Sequence, residues 1–230
     1  MKVLTVLLLT LFLVVTCGPK KAEVVEDIVA AAPGMTRVIF ENDYVRAIEF
    51  TVPAGEKLPL HKGAARVVYA LSDYKILFTE GSESNEKEWF KGQAHWHDAI
   101  AHSLENIGET EAKFLVVARK DVPLAETAAY DVDSDAAMVD AMHTQMVFDN
   151  DFVRVAEVRI PPGSKQPMHH GLNRLIYALS DYTITYSSDQ ADDKESSFSA
   201  GDAHWHSADE HAVANSGETE AQFLVIQFKK

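Results

Sequence analysis

The sequence predicts an all-β protein made of two tandem domains, each a sandwich or barrel, related by internal duplication. Three observations carry this. Segments recur about a hundred residues apart in the same order, they are short and rich in β-branched and aromatic residues, and turn signals separate them at close intervals.

The duplication is read directly. "TRVIFENDYVRAIEFTVPAG", starting at residue 36, returns as "TQMVFDNDFVRVAEVRIPPG" at 144; "RVVYALSDY" at 66 returns as "RLIYALSDY" at 174; "NIGETEAKFLVV" at 106 returns as "NSGETEAQFLVI" at 215. The offset is 108 until about residue 90 and 109 afterwards, which places one extra residue near the acidic loop "DQADDKE". This period is too long for a solenoid repeat and suits a small domain. The predicted organisation is a first domain over 36–120, an Ala- and Asp-rich linker over 121–143 and a second domain over 144–230. Within each copy, "RVVYALSDY", "YKILFTE" and "KFLVVAR" and their partners favour pleated, half-buried surface, and Pro-x-Gly, Ser-Asp and Asn-x-Gly turns divide them. Short helices are expected only within 22–32 and 134–143.

The chain begins with Met1-Lys2 and the apolar run "VLTVLLLTLFLVV", too brief for a comfortable transmembrane helix and built like a secretory signal peptide over 1–17. Cys17, the sole cysteine, closes that run after Val14-Val15-Thr16. This end resembles the lipobox of bacterial lipoproteins, which implies a lipidated Cys17 at the mature N-terminus and a protein exported to the cell envelope or periplasm. The alternative is a secreted protein that discards Cys17 with its signal. Either way no disulfide forms. Residues 18–35 read as a tether.

Hydrophobic residues at 47% and charged residues at 24% are those of a globular protein. The formal charge of −14 argues against nucleic acid and anionic membrane as partners, so a membrane is reached only through an N-terminal lipid. No Gly-rich phosphate loop and no Gly-x-Ser-x-Gly elbow occurs.

"PAGEKLPLHKGAARVVYALSDY" and "PPGSKQPMHHGLNRLIYALSDY", followed by "FKGQAHWHDAIAHSLENIG" and "FSAGDAHWHSADEHAVANSG", resemble the two motifs of the cupin superfamily. The resemblance spans both copies and implies a bicupin: two double-stranded β-helix, or jelly-roll, barrels in one chain, of a kind that often associates through its sheets into homo-oligomers. It also implies a metal site of His-x-His plus Glu on the first motif and His on the second. Here the pattern departs: Gly63 and Gly171 stand two residues after His61 and His169, and the Glu position falls on Arg66 or Val67 and on Arg174 or Leu175. What survives is His61 with His102, and His169 with His211.

Replacements exist. His95 and His97 share one face of their strand, as do His204 and His206, with Trp96 and Trp205 on the other. If the histidines turn inward, His97 joins His61 and His102, and His206 joins His169 and His211, as three-ligand metal sites with open positions for iron, manganese, nickel or zinc. If the tryptophans turn inward, Trp96 and Trp205 floor an apolar pocket. Arg66 and Arg174 either line a barrel mouth, suited to a carboxylate or sugar acid through paired hydrogen bonds, or lie on the surface among the many carboxylates. Tyr69 and Tyr177 follow them as barrel wall and ligand contacts. Asn106 and Asn215 read as turn residues. His170 reads as an outward residue, and His143 lies in the linker.

Two functions follow. One is an exported bicupin whose degenerate barrels hold a small polar or anionic molecule. The other is a metal-dependent cupin enzyme, dioxygenase- or isomerase-like by resemblance alone. Fold does not choose between them.

Overall fold

The structure, a computed structural model, describes residues 24–124, 131–188 and 192–229. The expected signal peptide 1–17 with Cys17, and residues 18–23 of the expected tether, lie outside the described residues. Among the described residues no helix is long and apolar enough to cross a membrane.

The regular structure of the described chain is almost all strand. The first half runs α1 (Ile28–Ala31), β1 (Thr36–Glu41), β2 (Val45–Val52), β3 (Lys57–Gly63), β4 (Arg66–Ala70), β5 (Tyr74–Glu80), β6 (Glu83–Trp89), β7 (Ala94–His97), β8 (Ile100–Asn106) and β9 (Ala112–Arg119). The second repeats it as α2 (Ala136–Val139), β10 (Thr144–Asp149), β11 (Val153–Ile160), β12 (Lys165–Gly171), β13 (Arg174–Ala178), β14 (Tyr182–Ser188), β15 (Lys194–Phe198), β16 (Ala203–His206), β17 (Asp209–Asn215) and β18 (Ala221–Phe228). Each half is a jelly roll of a five-stranded sheet, β1-β2-β9-β4-β7 or β10-β11-β18-β13-β16, facing a four-stranded one, β3-β8-β5-β6 or β12-β17-β14-β15.

Local sequence explains the features that aim the site. Pro59 falls at a register shift between Leu58 and His61, where a residue without an N–H breaks no ladder bond. The shift lets Leu58 and His61 both face inward, which strict alternation would forbid, and both are buried. Gln166 and His169 repeat this around Pro167. Asn106 is fully buried and works as a turn residue: its amide donates to the Val52 and Thr110 carbonyls at 2.8 Å each and accepts from the Gly108 N–H at 3.0 Å. Asn215 makes the same three bonds.

The five-stranded sheets are buried on both faces. One face covers its own barrel core; the other packs against the opposite half through Val45, Val67, Leu115 and Val117 on one side and Val153, Leu175, Leu224 and Ile226 on the other. The packing is reciprocal about a pseudo-two-fold axis. The Tyr69 hydroxyl donates to Glu157 Oε2 at 3.2 Å, and the Tyr177 hydroxyl donates to Glu49 Oε1 at 2.7 Å. Trp96 stacks on Phe152 with ring centroids 5.2 Å apart, and Trp205 stacks on Tyr44 at 5.7 Å. Burying apolar side chains of this size stabilises the pair by about 1.5–3 kcal/mol each.

The segment before each barrel is also duplicated. Asp27 caps α1 by accepting from the Val29 N–H, and Asp135 caps α2 by accepting from the Ala137 N–H. Val25 forms a bridge to His61 of β3, and Asp135 one to His170 of β12. Residues 24–35, expected as tether, and 131–143, expected as linker, thus pack onto their barrels. The reason in the first segment is Ile28, buried in the first core, and in the second it is Asp135, buried and accepting from Gln227.

Candidate ligand-binding site

Each barrel interior holds one arginine and four histidines at matching positions, and in the second His170, expected to point outward, also lines the cavity. In the first, His61 on β3 pairs in register with His102 on β8, and their rings lie 4.3 Å apart. His95 and His97, on β7, turn inward: Phe78 stacks on both His97 and His102, and Trp89 stacks on His95 at 3.7 Å. The second barrel matches, with His169 and His211 rings 4.1 Å apart and Tyr186 stacked on both His206 and His211.

The choice left open for β7 and β16 is therefore settled toward histidine. Trp96, Trp205, Tyr69 and Tyr177, expected as pocket floor and wall, face the other half instead of a barrel interior. Strand alternation puts the tryptophans opposite the histidines, and the outer face takes large apolar groups because a second domain, not water, covers it.

Arg66 and Arg174 are not surface residues. Their exposures are 5% and 2%, and each side chain crosses its barrel to the histidine pair. Room for this comes from the glycines. A Cβ on Gly63 would lie 2.4 Å from Arg66 Nη1, and one on Gly171 would lie 2.6 Å from Arg174 Nη1. The guanidinium thus occupies the space that the second imidazole of a His-x-His pair would need.

The expected metal sites His61/His97/His102 and His169/His206/His211 do not fit a metal. Arg66 Nη2 lies 3.1 Å from His102 Nε2, and an arginine only donates, so this contact takes up the imidazole lone pair a metal would use. Arg174 treats His211 Nε2 the same way at 3.2 Å. His61 and His169 donate from Nδ1 to the Pro59 and Pro167 carbonyls at 2.8 Å, and no third nitrogen converges on them. Among the described residues no group of three or more His, Cys, Asp or Glu is placed to hold a metal ion. The donor set that resemblance implied for iron, manganese, nickel or zinc is replaced by a fixed organic cation.

Electrostatics follow from that cation and from burial. Burial, then the Arg66 charge, pushes His102 down to about 3 and His97 down to about 4; burial, then His97 and Arg66, takes His95 to about 3. His204, His206 and His211 fall to about 4, 3 and 4 by burial and neighbouring charge. All six are neutral near pH 7. Burial lowers Arg66 to about 10, and it stays protonated in the same range.

The barrels differ where the guanidinium finds its counter-charge. Arg174 Nη2 donates to Asp209 Oδ1 at 2.9 Å and to the Tyr186 hydroxyl at 2.9 Å, and Tyr186 in turn donates to Asp209 Oδ2 at 2.5 Å. Burial pushes the Asp209 carboxyl up, but His211, Arg174 and Tyr186 outweigh it and hold it well below the usual range. In the first barrel the equivalent positions are Ile100 and Phe78. Arg66 has the Ala64 carbonyl at 2.9 Å, the Asp98 carbonyl at 3.4 Å and His102, and no carboxylate among the described residues pairs with it.

The interiors differ in volume too. The first encloses a cavity of about 760 Å³, the second about 40 Å³. Three positions at the mouth differ in bulk between the copies. Ala64, Ala65 and Ala118 in the first barrel correspond to Leu172, Asn173 and Gln227 in the second, all three buried. Gln227 ties the closure together, accepting from the Leu172 N–H and donating to Asp135, both at 2.9 Å. Sequence reading alone missed Asp209, Tyr186 and these mouth residues; the signal was present in the mismatches between two otherwise matching copies.

No family model and no curated protein matches the sequence. Among solved structures, the chain is similar to oxalate decarboxylase from Bacillus subtilis, with a TM-score of 0.59 and 13% identity over 93% of this chain and 80% of that one. It is similar to the Lactobacillus farciminis oxalate decarboxylase, at 0.58 and 13% over 85% and 86%, and to AerE from Microcystis aeruginosa, at 0.59 and 14% over 85% and 93%. Likeness at these identities is likeness of fold: the chain is a bicupin in architecture, two jelly-roll barrels joined in one polypeptide.

Proposed function

We propose that this bicupin is an exported binding module that holds a small anion in its first barrel, while its second barrel serves as scaffold. The observation that carries the reading is Arg66: a guanidinium at 5% exposure, facing a cavity of about 760 Å³, with no carboxylate partner among the described residues. Burying an uncompensated charge costs several kcal/mol, so a fold that keeps one gains by supplying the counter-charge from solution. The cavity has the size of known small-molecule sites. Export and lipid anchoring rest on the basic start, the apolar run and Cys17; Cys17→Ser is expected to move the protein from the membrane to the soluble fraction of a bacterial host.

The test is thermal unfolding of the mature protein against a panel of carboxylates, phosphate and sulfate. At a concentration a hundred times its dissociation constant, a ligand stabilises the native state by about 2.7 kcal/mol. At least one anion is expected to raise the midpoint of the native protein and to leave Arg66→Met unmoved. No shift with any anion, or equal shifts in both proteins, overturns the reading.

A further inference from the structure

The two barrels pose one electrostatic problem and solve it differently, and the second solution describes the missing part of the first. In the second barrel the counter-charge to the buried guanidinium is a single carboxylate, Asp209, accepting from Arg174 on one oxygen and from Tyr186 on the other. Ile100 on β8 stands where Asp209 stands on β17, on the same face as the neighbouring histidine, and Phe78 lacks the hydroxyl of Tyr186. Both substitutions remove partners from Arg66 and add none.

We propose that the first barrel takes a monocarboxylate with an apolar body, its carboxylate serving Arg66 as Asp209 serves Arg174. This rests on the anion-binding reading above and narrows it. Three features select the class. Of the charges lining the cavity, Arg46, Lys62 and Lys120 pair with Asp27, Glu26 and Glu41, and Arg119 lies beside Asp121, which leaves Arg66 among neutral imidazoles as the charge to balance, so a monoanion suits the site and a dianion leaves charge in a low-dielectric space. A carboxylate matches the planar fork of a guanidinium. The part of the cavity wall that belongs to the barrel core is Ile48, Phe50, Leu58, Val68, Leu104 and Val116, which offers dispersion contacts to an apolar body, while the charged lining residues other than Arg66 lie outside that core. The alanines at the mouth leave the passage that Leu172, Asn173 and Gln227 close in the other half.

The experiment is calorimetric titration of the full mature chain with octanoate, 1-octanol and phosphate, repeated on Ile100→Asp. The native protein is expected to bind one equivalent of octanoate. Octanol, with the same body and no charge, is expected to bind about thirtyfold more weakly or worse, the loss typical of a buried charge left without its partner. Ile100→Asp supplies the second barrel's solution to the first, so octanoate affinity falls by a similar factor while the unfolding midpoint rises. Should that variant fail to fold, Arg66→Met reads the same contact, and octanoate is expected to fall to the level of octanol.

Phosphate binding more tightly than octanoate leaves the anion-binding reading standing and overturns the monocarboxylate. Absence of binding by every anion overturns both. Two equivalents of octanoate, or affinity unchanged in Ile100→Asp and Arg66→Met, overturns the correspondence with Asp209.

Discussion

In the second barrel a buried arginine, a carboxylate, a tyrosine hydroxyl and an imidazole close on one another, and the side chains above them seal the mouth. In the first, the same arginine reaches the same histidine across a cavity some twenty times larger, with isoleucine and phenylalanine where the carboxylate and hydroxyl would be. The folds are alike strand for strand, so the difference lies in about five side chains. It teaches that the arginine belongs to the common architecture, because Gly63 and Gly171 both make room for it, whereas its counter-charge is what distinguishes the halves.

What the halves share is tested by acid, with the largest effect expected. Six interior histidines have native values of about 3 to 4 against 6.5 when exposed. Below pH 6.5 the unfolded chain binds protons that the native one refuses, so stability is full above that value and is lost as pH falls toward 4. Urea midpoints are expected to be level between pH 7 and 8 and to drop steadily across that lower window; a level profile down to pH 4 would show that the rings are not held neutral. Within the native protein, octanoate binding is expected to hold level from pH 7 to 9, because burial lowers Arg66 but leaves it protonated there.

What separates the halves is tested next. Asp209→Ile leaves Arg174 without its carboxylate, as Arg66 is, behind a mouth that stays closed. Removing one member of a buried pair costs about 3–5 kcal/mol in denaturant unfolding, and acetate small enough to enter is expected to restore part of it. Leu172→Ala with Gln227→Ala opens the mouth and is expected to cost about 2 kcal/mol or more. The converse replacement, Ala64→Leu with Ala65→Asn and Ala118→Gln, is expected to abolish octanoate binding while sparing stability. The smallest effect belongs to the contact between the halves: Tyr69→Phe or Tyr177→Phe loses one hydrogen bond to a carboxylate, about 1–2 kcal/mol each, and the two should be alike if the axis is truly symmetric.

Much of the architecture was legible in the sequence. The repeat, the β-rich segments and the Pro-x-Gly turns follow from composition and spacing, and the pairing of His61 with His102 from the resemblance to the cupin motifs. The facing of β7 was not, because alternation assigns residues to a side only when one side is wet, and here both are covered. Arg66 was ambiguous for a related reason. Nothing in "HKGAAR" says that the glycine's missing Cβ is filled by a guanidinium three residues on; that is a property of two strands meeting in space. Asp209 could have been found by asking where the copies disagree in charge on a face that holds a shared histidine. Retention between copies marks scaffold and site alike, whereas disagreement at a shared position is more discriminating.

The reciprocal Tyr–Glu and Trp–aromatic contacts give the molecule the anatomy of a homodimer whose subunits have been spliced into one gene product. In an unspliced ancestor, any mutation that emptied one chamber would have emptied its twin. Splicing frees the halves to drift apart, so one can stay shut and lend rigidity while the other remains available for cargo.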